Sequence, residues 1–160
     1  MPESLAAAVL LELERLGENI AVAESLTGGL VVAELTSVPG ASDYVRGGVV
    51  AYATDVKSAV LGVSAELLAD RGPVDPEVAR SMAAAVGMAL DARFGISTTG
   101  VAGPEPAGGK PVGTVFVAIH DRATATSSCR DLHLTGTRDQ IRQDSVLAVL
   151  ELTIEYLRSI

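Results

Sequence analysis

Tryptophan is absent from this chain, and other aromatics are scarce: three tyrosines and two phenylalanines in 160 residues. A core built from what remains must be Ala, Val, Leu and Ile. Cysteine occurs once, as Cys129, which excludes an intrachain disulfide and a thiolate metal cage. The only histidines, His120 and His133, share no ligand spacing with each other or with Cys129, so no metal site is expected. A Ser–His–Asp triad is weakly supported for the same reason, with His120 as its one plausible base. Cations are outnumbered, 12 against 20 acidic residues, for a net charge of −8. That balance argues against nucleic acid as a main partner, because phosphate-backbone binding needs clustered Lys and Arg. No apolar run approaches the roughly 18 residues of a membrane span. The N-terminal stretch lacks the charged start and apolar core of a secretory leader. A cytoplasmic protein without a membrane partner is the expectation.

What is present is a globular composition, 48% hydrophobic, over a length suited to one domain spanning residues 1–160. Residues 4–16 carry a broad helical apolar face that stops at Gly17. Ile20–Ala23 reads as a strand, followed by a Ser/Gly turn and a helix to about Ser37. Residues 39–43 read as a loop and Gly47–Ala53 as a strand. Thr54 is the expected cap of a helix to about Leu61, and Ser64 that of another ending near Gly72. Asp75-Pro76-Glu77 is a strong helix start, and that helix should run to about Arg93. Strands follow at 94–98, 114–120 and 126–134, and a long helix at 139–158. Helices alternate with strands except in the late hairpin. The expected architecture is an α/β fold, a three-layer α/β/α domain with a mixed, partly parallel sheet.

Three places have chemical content. The first is Ala23-Glu24-Ser25-Leu26-Thr27-Gly28-Gly29, a Ser/Gly turn between a strand and a helix. Its glycines let backbone approach a ligand, and the free N–H groups of a helix start favour an anion. Ser25 can there face an oxyanion hole made by the N–H groups of Thr27, Gly28 and Gly29. The second is Tyr52 at a strand end with Lys57 in the next helix. A desolvated Lys can serve as a base for Ser25, and a Tyr hydroxyl can carry the proton between them. Taken singly, Lys57 also reads as a solvated helix lysine and Tyr52 as a half-buried aromatic. The third is the Gly/Pro-rich segment after Thr98-Thr99-Gly100, whose length favours a binding role. Lys110, Arg138 and Arg142 are available to hold a phosphate, or are simply exposed cations.

Taken together, Ala-Glu-Ser-Leu-Thr-Gly-Gly at 23–29, Gly47-Gly48-Val49-Val50-Ala51-Tyr52 with Lys57, Thr99-Gly100-Val101-Ala102-Gly103-Pro104 and Lys110-Pro111-Val112-Gly113-Thr114-Val115 resemble the C-terminal domain of the competence/damage-inducible protein A family. Pro39-Gly40-Ala41-Ser42 and Gly136–Arg142 fit the same pattern, and the resemblance covers nearly the whole chain. It implies a hydrolase of pyridine nucleotide salvage. Such an amidase converts nicotinamide mononucleotide to nicotinate mononucleotide and ammonia without metal or other cofactor. It further implies Ser25 as nucleophile with Tyr52 and Lys57 as activating partners. This chain departs from the family's usual pattern at Leu26, where Cys is common, at Thr54, where an Asn contact is usual, and in the 105–109 loop.

The resulting expectation is catalysis by Ser25, Tyr52 and Lys57. Substrate is expected to be held by Thr27, Gly28, Gly29, Thr54, Thr99, Gly100, Gly103 and Arg142. An alternative arrangement places the phosphate on the helix start at 28–29. Two rival readings are a serine amidase for another small amide and a non-catalytic nucleotide-binding module in which Ser25 only caps a helix. Residues 149–157 are apolar on more than one face, which suits core burial or a homo-oligomer interface.

Overall fold

A computed structural model describes residues 4–160; the three residues before them, part of the stretch read for a leader, lie outside that description. The elements are α1 (Leu5–Leu16), β1 (Ile20–Glu24), α2 (Leu30–Thr36), β2 (Val45–Val50), α3 (Thr54–Ala59), α4 (Ala65–Arg71), α5 (Pro76–Ala89), β3 (Phe94–Gly100), β4 (Thr114–Asp121), β5 (Thr126–His133) and α6 (Arg138–Arg158). One sheet runs in the order β2-β1-β3-β4-β5. β1 pairs in parallel with β2 and β3, while β4 is antiparallel to both β3 and β5. The fold is therefore the mixed α/β arrangement that the alternation of elements predicts.

The two faces of the sheet are built from different residue sizes. Ile20, Val22, Phe94, Ile96, Val115, Val117 and Ile119 point toward α1, α2 and α6. Their neighbours along the strands, Ala21, Ala23 and Ala118, point toward α3, α4 and α5. Small residues let α5 lie close. A Cβ placed on Gly95 would stand 1.8 Å from the Ala83 carbonyl oxygen of α5, so no other residue fits there. The Ser97 hydroxyl ties the same helix by donating to the Ala79 carbonyl.

Several boundaries shift for local reasons. β2 ends at Val50 rather than Ala53, because the carbonyls beyond it turn away to hold Lys57. Thr54 is the first helical residue of α3 and not its cap; Ala53 occupies the cap position without a side-chain bond. Ser64 and Asp75 cap α4 and α5 as their residue types dictate. α5 stops at Ala89, where Ala92 N–H returns to the Gly87 carbonyl and Asp91 takes a positive φ of 53°. Residues 41–43 form one turn of 3-10 helix inside the expected loop. α6 opens on a reciprocal Thr137–Gln140 capping box. Its apolar breadth has a plain cause: Val149, Leu150, Leu152, Ile154 and Leu157 are all buried in the core shared with α1. No helix among the described residues is long and apolar enough to cross a membrane.

Candidate active site

Glu24 stands beside Val50 in the register of β1 with β2, and Ala23 beside Ser97 in that of β1 with β3. Three parallel strands thus end at one level. The segments that follow them, 25–29, 51–53 and 101–112, converge at their carboxyl ends, where open α/β sheets place ligands.

Lys57 sits in the first helical turns of α3. Side chains on a helix lean toward its N-terminus, so this one runs back toward the end of β2. It is only 1% exposed. Its Nζ lies 2.9 Å from Ser25 Oγ, 2.8 Å from the Ala51 carbonyl oxygen and 3.3 Å from that of Tyr52. No carboxylate pairs with it among the described residues. Burial without a counter-charge disfavours the ammonium and brings the pKa down to about 8. Three acceptors suit an ammonium with three N–H donors. They suit the neutral amine equally: two N–H groups stay on the carbonyls, and the lone pair faces the serine hydroxyl.

The serine turn is held from beneath. Ser25 N–H donates to the Thr98 carbonyl at 3.1 Å, and the Thr27 and Thr98 hydroxyls share a hydrogen bond of 2.8 Å. Gly28 and Gly29 take φ of 57° and 107°, which a side chain rarely allows. Gly28 N–H already donates to the Ser25 carbonyl. The N–H groups of Leu26, Thr27 and Gly29 have no acceptor among the described residues, and Leu26 borders the open cleft. The donor set expected from Thr27, Gly28 and Gly29 is corrected at Gly28, whose N–H is engaged, and gains Leu26. Leu26, whose N–H is free beside Ser25, lines the cleft, whereas Thr27, Gly28 and Gly29 do not. At the start of α2 the Glu24 carboxylate accepts from Val31 and Val32 N–H, and Gly28 and Leu30 N–H are bonded within the turn, which leaves only Gly29 N–H of that helix start without an acceptor among the described residues.

A cleft of about 290 Å³ opens over Ser25 and Lys57. That lies near the lower end of the roughly 300–1,000 Å³ usual for small-molecule sites. Tyr52, Thr54, Thr99, Gly100 and Gly103 line it, as expected. Thr27, Gly28, Gly29 and Arg142 do not. Arg142 instead donates to the Leu26 carbonyl at 2.9 Å and so braces the serine turn from outside. The cation in the cleft is Arg138, four residues earlier on α6, bonded to the Gly103 carbonyl at 2.7 Å and the Tyr52 hydroxyl at 3.3 Å. A one-turn shift along a helix is below the resolution of sequence reading. The Tyr52 relay is also corrected: its phenol faces Arg138 and solvent, and it is its backbone carbonyl that meets Lys57. Thr99 turns its hydroxyl onto the Pro73 carbonyl. Gly103, at φ 85°, is held bare by Val112, which a Cβ would meet at 2.7 Å. Pro73 and Val74 also line the wall, with no motif to mark them in advance, as do Leu26 of the serine turn and Glu105 of the 105–109 loop. His120 pairs with Gly95 at the opposite end of the sheet and cannot serve Ser25.

The family model described as the CinA C-terminal domain matches residues 2–157. A CinA-like protein of Frankia casuarinae is 47% identical over 151 residues, covering 94% of this chain and 34% of its own length. One from Myxococcus xanthus is 42% identical over 158 residues, covering 97% and 37%. This chain thus spans about a third of the curated relatives it matches. Among solved structures, a competence-damaged protein (CinA) superfamily protein of Klebsiella pneumoniae superposes with a TM-score of 0.93 at 28% identity, over 98% of this chain and 97% of that one. The competence/damage inducible protein CihA of Agrobacterium tumefaciens gives 0.90 at 34% identity, over 96% and 93%. On the family match across its length and these relatives, the chain belongs to the CinA C-terminal domain family.

Proposed function

We propose that this domain is a serine amidase that removes ammonia from nicotinamide mononucleotide, with Ser25 as nucleophile and Lys57 as base. The observation that carries the reading is the 2.9 Å contact between Ser25 Oγ and a buried, carboxylate-free Lys57. Neutral Lys57 takes the hydroxyl proton as Ser25 Oγ bonds to the carboxamide carbon. Leu26 N–H stabilises the oxyanion; removing one such donor typically costs about 3–4 kcal/mol of transition-state stabilisation. The tetrahedral adduct collapses by breaking the C–N bond, the proton passes from Lys57 to the leaving nitrogen, and ammonia departs. Water, deprotonated by Lys57, then cleaves the acyl-serine ester to give the carboxylate product and free Ser25. Tyr52 needs no role in proton transfer here; its carbonyl holds Lys57 and its ring walls the cleft.

Charge placement supports a phosphorylated substrate. Most arginines are engaged in ion pairs, such as Arg71 with Asp75 and Arg93 with Asp121. Lys57, Arg138 and Arg142 have no carboxylate partner among the described residues, and all three converge on this site. In a chain of net charge −8, that sets Lys57 and Arg138 in a cleft wall with a single carboxylate among the described residues, Glu105. Arg138 at its mouth is the proposed phosphate contact, with Thr54 and the amides of Gly100 and Gly103 lining the path to it.

Ammonia release from nicotinamide mononucleotide by the purified protein tests the reading. Turnover is expected to rise with pH through about 8, as Lys57 becomes neutral. Ser25→Ala should lower kcat by about 10⁴-fold or more. Nucleotide binding without turnover in the folded wild type would instead favour the binding-module reading.

A further inference from the structure

One enclosed charge at the site has no part in the chemistry above. The Glu24 side chain is fully buried at the end of β1. Its Oε1 accepts from Val31 N–H at 2.9 Å and its Oε2 from Val32 N–H at 3.1 Å. These are donors that a helix start leaves without internal partners, and the helix dipole favours an anion beside them. A place where strand–turn–helix junctions often receive a ligand's phosphate is thus filled from within the chain. The main chain of Glu24 is tied as well. Its carbonyl accepts Ala51 N–H at 2.8 Å, and the Ala51 carbonyl in turn accepts Lys57 Nζ at 2.8 Å. Ser25 follows directly. Glu24 therefore stands between the two halves of the candidate dyad, bonded to the seat of the base and to the helix behind the nucleophile.

We propose that Glu24 is a positioning residue for Ser25. By clamping the start of α2, its carboxylate fixes the directions in which Ser25 Oγ and Leu26 N–H point relative to Lys57. Both carboxylate oxygens are engaged by backbone N–H groups, so it acts through the turn and not on the substrate. Glu24→Gln keeps the shape but leaves one N–H without an acceptor, and Glu24→Ala leaves both. A displacement of about 1 Å at a reacting group can lower a rate about 10²-fold. The kinetic readout rests on the amidase reading, but a chemical readout does not.

The test measures two rates on wild type, Glu24→Gln, Glu24→Ala and a control. One is covalent labelling of Ser25 by a fluorophosphonate, located by peptide mass spectrometry; the other is ammonia release from nicotinamide mononucleotide. The control is Ser4→Ala, which removes the cap of α1 on a different part of the fold. Labelling is expected to fall roughly tenfold in Glu24→Gln and ~10²-fold in Glu24→Ala, with kcat falling in parallel and KM within about threefold. The apparent pKa of the rate should stay near 8, since Lys57 keeps its surroundings. Ser4→Ala should label at the wild-type rate even if its Tm drops. Wild-type labelling and kcat in folded Glu24→Gln would overturn the proposal, whatever the loss in Tm, and this variant decides if Glu24→Ala fails to fold. If wild type labels at Ser25 yet releases no ammonia, the amidase reading fails and the labelling rates alone decide on Glu24. If wild-type Ser25 does not label, both fall.

Discussion

A lysine that is 1% exposed and has no carboxylate partner is a destabilising choice unless its chemistry is used. Its pKa falls from 10.5 to about 8 in the folded protein. Between those values the unfolded chain binds more protons than the folded one, so stability rises as pH rises from about 8 to 10.5. Below that window the burial penalty is fully present. Lys57→Met, which keeps the length and drops the charge, should abolish turnover. Its stability relative to wild type should be greatest near neutral pH and decline across that window, by up to about 3 kcal/mol on the scale of 1.36 kcal/mol per pKa unit. Denaturant titrations of both proteins at pH 7 and 10.5 measure this; a difference independent of pH would show that Lys57 is not desolvated. Ser25 was legible in the sequence because a strand, a Ser/Gly turn and a helix follow one another within a few residues. The burial of Lys57 was not. α3 is only six residues long, too short for a periodicity that would separate a buried face from a solvated one.

At the scale of elements, the closeness of α5 to the sheet depends on one missing methyl. Gly95→Ala would drive a Cβ into the Ala83 carbonyl, and backbone on both sides must move. The expected loss is about 3 kcal/mol, the upper part of the usual range for overpacking, with a matching fall in the denaturation midpoint. Gly48→Ala meets chiefly the side chain of Val32, which can rotate, and the Val22 carbonyl oxygen only at 3.2 Å, so it should be tolerated better. The strands themselves were readable: β1 is buried along all five residues, and its unbroken apolar run is the mark of a parallel strand covered on both faces. The shortening of β2 was not readable. Nothing in Ala51-Tyr52-Ala53 forbids a strand, and only the demand of Lys57 for two carbonyls ends it. The same holds for Arg138 and Arg142. Both lie on the first turns of α6, and a helical wheel does not say which turn faces the cleft.

At the scale of the molecule, charge is arranged in two separate ways. At the end of the sheet away from the cleft, Asp121 is fully buried and accepts from Arg93, Ala123 N–H and the Tyr156 hydroxyl. Burial alone would raise its pKa, but these bonds outweigh that and hold it below the ordinary carboxylate value. A depressed carboxylate gives stability that is present above the unfolded pKa of 3.8 and is lost as pH falls through the folded value. Asp121→Ala should therefore cost about 2–3 kcal/mol near neutral pH, because it leaves Arg93 with Glu18 alone and takes the acceptor from the Tyr156 hydroxyl and Ala123 N–H, and less in acid. Chemical denaturation at pH 7 and pH 3 reads the difference. Around the cleft, Lys57 and Arg138 bond only uncharged groups, and Glu105 is the one carboxylate in the wall among the described residues. Arg138→Ala should raise KM for nicotinamide mononucleotide about tenfold or more while leaving Tm near wild type, and wild-type KM should itself rise with added salt. An unchanged KM would remove Arg138 as the phosphate contact.

The bond from Arg142 to the Leu26 carbonyl joins residues 116 positions apart, and Arg138 closes the far side of the cleft from the same helix. Within this domain, Ser25 and Lys57 are synthesised before the helix that braces them. Until α6 docks, the serine turn lacks its outer brace and the cleft lacks one wall. The candidate site is therefore assembled only with the completed domain, and a chain in which α6 has not yet docked holds Ser25 in an unbraced turn.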